Sequence, residues 1–255
     1  MPHLERNDVS LHYALAGSGP PVMLSHGFSA SLRMWDDQTV ALADAHRVLT
    51  WDMRGHGKTS GPDAQAGYCE SETVADMAAL LDACAIDRAV IGGLSLGGYM
   101  SLAFYNAHPD RVRALMLFDT GPGYRNPDSR AKWNERAEQW ATTLEKDGLD
   151  AFKTMGTDEM RADWHDSADG LAKAARGMLA QFDSAVLESL PTFDVPTLVL
   201  VGENDTPFIA PSEYMAKKIP NAEYVVIPDA AHAANMHKPS AFNAAVLSFL
   251  DGLGE

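Results

Sequence analysis

The chain has 255 residues, 20 of them Lys or Arg against 35 Asp or Glu, for a formal net charge of −15. A 46% hydrophobic share beside 22% charged residues provides for a packed core and excludes global disorder. The acidic balance excludes a polyphosphate binder, which needs a basic surface to displace counterions, and also excludes docking on an anionic bilayer.

Met1–Arg6 has neither a basic region nor an apolar run, so no secretory leader is expected. Leu11–Ala16 and Val22–Ser25 read as strands, and Ser31–Asp44 as a helix with Leu32, Trp35 and Leu42 on its apolar face. Arg47–Trp51 is a strand. Glu70–Ala85 repeats Val74, Met77, Leu81 and Cys84 at helical spacing. Ala89–Gly92 is a strand, Leu96–Ala107 a helix ending before Pro109, and Ala114–Phe118 a further strand. Near the C-terminus, Thr197–Val201 and Glu223–Ile227 read as strands, and Pro211–Lys218 and Ser240–Leu250 as helices. Strands alternating with helices predict an α/β fold with a mostly parallel sheet covered on both faces. The weakly polar run from Ile91 to Phe104 is too short and too glycine-broken to span a membrane. Cys69 and Cys84 form no CxxC, so reduced thiols in a cytoplasmic protein without a metal are expected.

Residues 122–190 interrupt the alternation. Trp133, Ala137, Trp140 and Leu144 follow helical spacing up to a stop at Gly148. Thr157 reads as the cap of a short helix with Asp158 and Glu159 in its first turn and Met160 and Trp164 beyond. Leu171, Ala174, Ala175, Met178 and Phe182 mark another helix. The segment reads as a helical insertion between two strands.

Gly93-Leu94-Ser95-Leu96-Gly97 fits G-x-S-x-G between a β-branched strand and an apolar helix. So sharp a turn strains the serine backbone and needs small neighbours, and it presents the hydroxyl at a positive helix N-terminus. A serine hydroxyl needs a base, and the base an orienting carboxylate. His232, in a small-residue loop after the last strand, is the candidate base, with His237 its competitor. Asp205 follows the Thr197–Val201 strand and is the candidate acid, with Asp119 after Ala114–Phe118 the fallback. Gly27 lets the loop after Val22–Ser25 approach Ser95, so the amides of Phe28 and Leu96 are the candidate oxyanion donors. His26 reads as a loop-packing residue. Asp52 to Ser60 reads as a structural loop in which Asp52 and Arg54 pair.

These motifs in this order resemble the α/β-hydrolase superfamily over nearly the whole chain, on His26-Gly27-Phe28, Asp52–Ser60, the Ser95 turn, Gly202–Asp205 and His232. Within it the chain looks like small bacterial esterases, enol-lactonases, carbon–carbon bond hydrolases and haloperoxidase-like proteins. The resemblance implies an eight-stranded sheet, a core of residues 1–121 and 191–255, and a helical cap of residues 122–190 after the sixth strand. It implies a serine hydrolase of carboxylic esters or lactones without a cofactor, acting on a small molecule as a monomer or homodimer. A carbon–carbon bond hydrolase or enol-lactonase, a cofactor-free oxygenase or perhydrolase, and a ligand receptor on a hydrolase fold stay open as alternatives. Trp133, Trp140, Met155, Met160, Trp164 and Met178 are the candidate insert residues lining an apolar pocket. No basic cluster marks a site for a carboxylated substrate, although one arginine such as Arg125 would serve, and the net charge disfavours anions.

Overall fold

In the computed structural model, which describes residues 2–155 and 160–254, the strands of the described residues form one eight-stranded sheet. They are β1 (His3–Arg6), β2 (Val9–Ala16), β3 (Pro21–Ser25), β4 (Arg47–Trp51), β5 (Ala89–Leu94), β6 (Val112–Phe118), β7 (Thr197–Gly202) and β8 (Ala222–Ile227). The order is β1-β2-β4-β3-β5-β6-β7-β8. β1–β2 and β2–β4 are antiparallel, and the other neighbours are parallel. The helices are α1 (Asp36–Leu42), α2 (Glu70–Ala83), α3 (Leu96–Ala107), α4 (Pro127–Asp147), α5 (Phe152–Met155), α6 (Ala168–Ala174), α7 (Ala185–Ser189), α8 (Thr206–Lys218), α9 (Ala234–His237) and α10 (Pro239–Gly252).

Side chains alternate across a strand, so each buried strand feeds two cores. Val22, Leu24, Val90, Met116, Phe118, Leu198 and Leu200 pack on one face with Leu42 of α1 and Phe242 and Val246 of α10. Met23, Ile91, Leu115, Leu117 and Val199 pack on the other with Met77 and Leu81 of α2, Met100 and Phe104 of α3 and Met215 of α8. This is the α/β-hydrolase architecture that the resemblance implies.

Between β6 and β7 lie only helices and connections among the described residues. Asn126 caps α4, its side chain accepting from the Asp128 and Ser129 amides, with Pro127 at the first position and Gly148 at φ 62° after the end. Ala137, Ala141 and Leu144 of α4 are buried in the same core as Leu171, Ala174 and Ala175. Arg176 ties the pair together, bonding Glu138 and Glu145 of α4.

Several elements depart from the sequence reading. β1 was not expected, because its exposed–intermediate alternation carries a single apolar residue, Leu4. Ser31–Asp44 divides into a 3-10 turn, Leu32–Trp35, and α1. α8 starts five residues before Pro211 and holds that proline inside it. α6 runs into a π-helical turn, Ala175–Leu179, which alters the side-chain phase and ends the helix before Phe182; that ring is 71% exposed. The helix cap expected at Thr157, with Asp158 and Glu159, lies outside the described residues. Both cysteines are free thiols. Among the described residues no helix is long and apolar enough to cross a membrane.

Candidate functional site

β5 ends at Leu94 and α3 begins at Leu96, so Ser95 alone reverses the chain, at φ 54° and ψ −115°. A side chain seldom adopts that backbone unless its surroundings enforce it. The Ser95 amide donates to Phe118 O at 2.9 Å, and its carbonyl accepts from Thr120 Oγ1 at 2.6 Å and from the Tyr99 amide at 3.0 Å. A Cβ on Gly93 would lie 2.4 Å from Gly97 C, and one on Gly97 only 2.1 Å from Ser25 O. The glycines therefore let the first turn of α3 press against the end of β3. The Leu96 amide opens α3, where an N–H has no acceptor in its own helix and the helix end is positive.

The loop after β3 passes beside this turn: a Cβ on Gly27 would lie 3.6 Å from Ser95 Cβ. His26 is fully buried. Its Nε2 accepts from the Met53 amide at 2.9 Å, so the proton sits on Nδ1 and is donated to Gly27 O at 2.7 Å. Burial lowers its pKa to about 4, which keeps the ring neutral and structural. His56 lies 5.0 Å away, its Nδ1 donating to Arg54 O, and burial holds it too below the usual imidazole range. The third ring, His165 of the insert, accepts from the Gly57 amide at 2.9 Å and donates to Ser29 O at 2.8 Å. Burial lowers its pKa as well. One insert side chain thus holds two core loops, one of them adjoining Phe28.

Asp205 follows β7, with its amide bonded to Gly202 O. Its Oδ2 accepts from Nδ1 of His232, in the loop after β8, at 2.9 Å. That bond leaves the Nε2 lone pair of a neutral His232 directed away from the acid. Phe208 stacks on the imidazole at 4.8 Å and 26°. His237 serves the loop instead, its Nδ1 accepting from the Ala231 amide at 3.1 Å. Asp119 is fully buried and accepts from the Gly202 amide at 2.7 Å and the Ala234 amide at 3.3 Å. Burial pushes its carboxyl well above the usual carboxylate range. Its oxygens fasten the ends of β7 and of the His232 loop.

Ser95, Asp205 and His232 line one cavity of about 240 Å³. Phe28, Trp133, Trp140, Met155 and Met160 wall it, and Trp133 is fixed by Nε1–H donation to Leu179 O at 2.8 Å. Two expected liners are placed differently. Met178 is buried at a small adjoining recess that also borders Ser95 and Leu96. Trp164 faces a separate groove, with the Arg33 and Arg161 guanidinium groups each 5.6 Å from its ring centre, because the 3-10 turn Ala162–Trp164 directs it there. The sequence reading missed Leu179, Pro207, Phe208 and Arg136, all of which line the cavity. Phe208 and Arg136 had a signal: each lies one helical turn from a residue already singled out, Asp205 and Trp133. Arg125 is exposed and is not among the lining residues.

The Asp52 loop also differs from expectation. Asp52 accepts from His12 Nδ1 at 2.7 Å and from the Leu32 and Lys58 amides. Arg54 turns instead to α2, pairing with Asp76 at 2.5 Å and Glu72 at 3.1 Å, so no Asp52–Arg54 pair forms. Among the described residues no group of three or more His, Cys, Asp or Glu is placed to hold a metal ion.

Known proteins share this fold over nearly the whole chain. 3-Oxoadipate enol-lactonase 2 of Acinetobacter baylyi is 28% identical, over 95% of this chain and 94% of its own. The crystal structure of an enol-lactonase from Burkholderia xenovorans is 27% identical, with a TM-score of 0.81 over 98% of this chain and 100% of that one. A thermophilic esterase from Thermogutta terrifontis, solved with malate bound, is 31% identical, with a TM-score of 0.80 over 97% and 95% of the two chains. Residues 20–152 match the family described as alpha/beta hydrolase fold, and that match takes in β3 to β6 with the Ser95 turn. With the strand order and the two full-length structural likenesses, it makes this chain a member of the α/β-hydrolase family.

Proposed function

We propose that the protein is a serine hydrolase of small carboxylic esters or lactones. The observation that carries the reading is the Asp205–His232 bond at the wall of the cavity that also holds Ser95 in its left-handed turn. In this reading His232 Nε2 takes the Ser95 proton as the hydroxyl attacks the carbonyl carbon. Asp205 keeps the imidazole in the needed tautomer and stabilises its cation. The Phe28 and Leu96 amides receive the developing oxyanion. The imidazolium then returns the proton to the leaving oxygen, and water, deprotonated by His232, releases the acyl group. The helices between β6 and β7 act as a cap over the acyl pocket.

The small volume supports a compact substrate, since drug-sized ligands occupy pockets of roughly 300 Å³ or more. The enol-lactonase and esterase relatives support ester or lactone chemistry. Replacing Ser95 by Ala tests the reading: 4-nitrophenyl butyrate turnover should fall at least about a thousandfold with the melting temperature retained. Turnover near that of the unaltered enzyme would remove Ser95 as nucleophile.

A further inference from the structure

Among the described residues lining the cavity, Arg136 is the only permanent cation. It projects from α4 between Trp133 and Trp140, three residues after one and four before the other, so all three share a helix face. No carboxylate pairs with it among the described residues, whereas Arg176, beside the same helix, is held by two glutamates. Its guanidinium carbon lies 5.0 Å from the Trp140 ring centre, and Trp140 stacks on Phe28 at 5.4 Å and 2°. A guanidinium over an indole uses its face and keeps its in-plane N–H donors available, in the fork geometry that matches a carboxylate. The remaining polar side chains of the wall are Ser95 and the Asp205–His232 pair. In a chain of net charge −15, this arginine is, among the described lining residues, the one permanently positive side chain to attract an anionic group held away from the oxyanion position.

We propose that Arg136 receives a carboxylate carried by the substrate, remote from the bond that is cleaved. The substrate class is thereby an ester or lactone bearing a free acid group. This rests on the serine-hydrolase reading above. The Phe28–Trp140–Arg136 stack then sets the spacing between the carbonyl under attack and the acid. Arg136 is exposed at the cavity mouth, so added salt weakens the contact.

The test compares 4-nitrophenyl hydrogen glutarate with its methyl-capped counterpart, in which a methyl ester removes the charge, both followed by release of 4-nitrophenolate alone. The unaltered enzyme should favour the acid ester, with the preference residing in KM. In Arg136→Gln the ratio of kcat/KM values, acid over capped, should fall about tenfold, the scale of one charge-assisted contact. Arg136→Lys should recover part of it, because it keeps the charge without the fork. A ratio unchanged in Arg136→Gln, including an equal loss on both esters, would mean that Arg136 only props Trp140 and would overturn the proposal. No preference in the unaltered enzyme would overturn it too. A second arm does not depend on turnover: binding of the acid ester to Ser95→Ala, read by tryptophan fluorescence, should weaken about tenfold when Arg136→Gln is added. Equal affinities there reject the carboxylate site. Turnover that survives Ser95→Ala instead rejects the nucleophile while leaving the Arg136 result readable.

Discussion

At the scale of single residues, the site depends on side chains that are absent as much as on those present. Gly97 has Ser25 O and His26 O within 2.6 Å of where a Cβ would stand, and both are backbone atoms that cannot rotate away. Gly97→Ala should therefore cost about 3 kcal/mol or more in urea unfolding, in line with overpacked cores, and should depress turnover by moving Ser95 from the Phe28 loop. Gly252, at the end of α10, has nothing within 4 Å, so Gly252→Ala is the control and should leave the unfolding midpoint unchanged or slightly raised. Equal losses in the two variants would refute the packing argument. Ser95, Asp205 and His232 can be singled out from sequence because each follows a strand, and parallel strands bring their carboxyl ends to one edge. Arg136 is harder to find. Apolar periodicity discards a charged residue, and only the placement of α4 over the cavity makes its face a wall.

Among the elements, the contact between insert and core turns on His165. It bonds the Gly57 amide and the Ser29 carbonyl, both buried against neutral rings. His165→Ala leaves both groups without a partner. It should destabilise the protein by about 2–4 kcal/mol, the cost of two buried unsatisfied polar groups. Because Ser29 adjoins Phe28, kcat should fall more than KM rises. A variant as stable and active as the unaltered protein would show that this tether does not matter. The same scale explains what the sequence displayed and what it concealed. Central strands such as Leu115–Phe118 are apolar on both faces and stand out. β1 does not, because an edge hairpin needs only Leu4. Pro211 reads as a helix start although Pro207 already fills the first turn of α8, and Phe182 matches a spacing that the π-helical turn has already broken.

For the molecule as a whole, the cluster of buried imidazoles made by His26, His56 and His165 connects acidity to stability. The His26 pKa is lowered from 6.5 to about 4 in the folded protein. Above pH 6.5 neither folded nor unfolded chain is protonated there, and the stability is complete. As the pH falls toward 4 the unfolded chain binds the proton first, so up to about 3 kcal/mol is lost from this residue. His56 and His165 act in the same direction, while Asp119, its carboxyl raised by burial, gains protons first in the folded state and opposes them. Comparison with His26→Asn isolates the contribution: between pH 6.5 and 4 the unaltered protein should lose more unfolding free energy than the variant. Parallel profiles would exclude it. The insert has a different consequence for the assembly of the chain. β6 and β7 are paired neighbours in the sheet, with Leu115 opposite Thr197, yet all of α4 to α7 intervenes between them. Closing a loop grows costlier only with the logarithm of its length, so a tenfold longer connection adds about 2 kcal/mol. Chain-closure entropy alone therefore sets little limit on the length of this connection, and what holds the excursion to its present form is its packing on the core and the His165 tether.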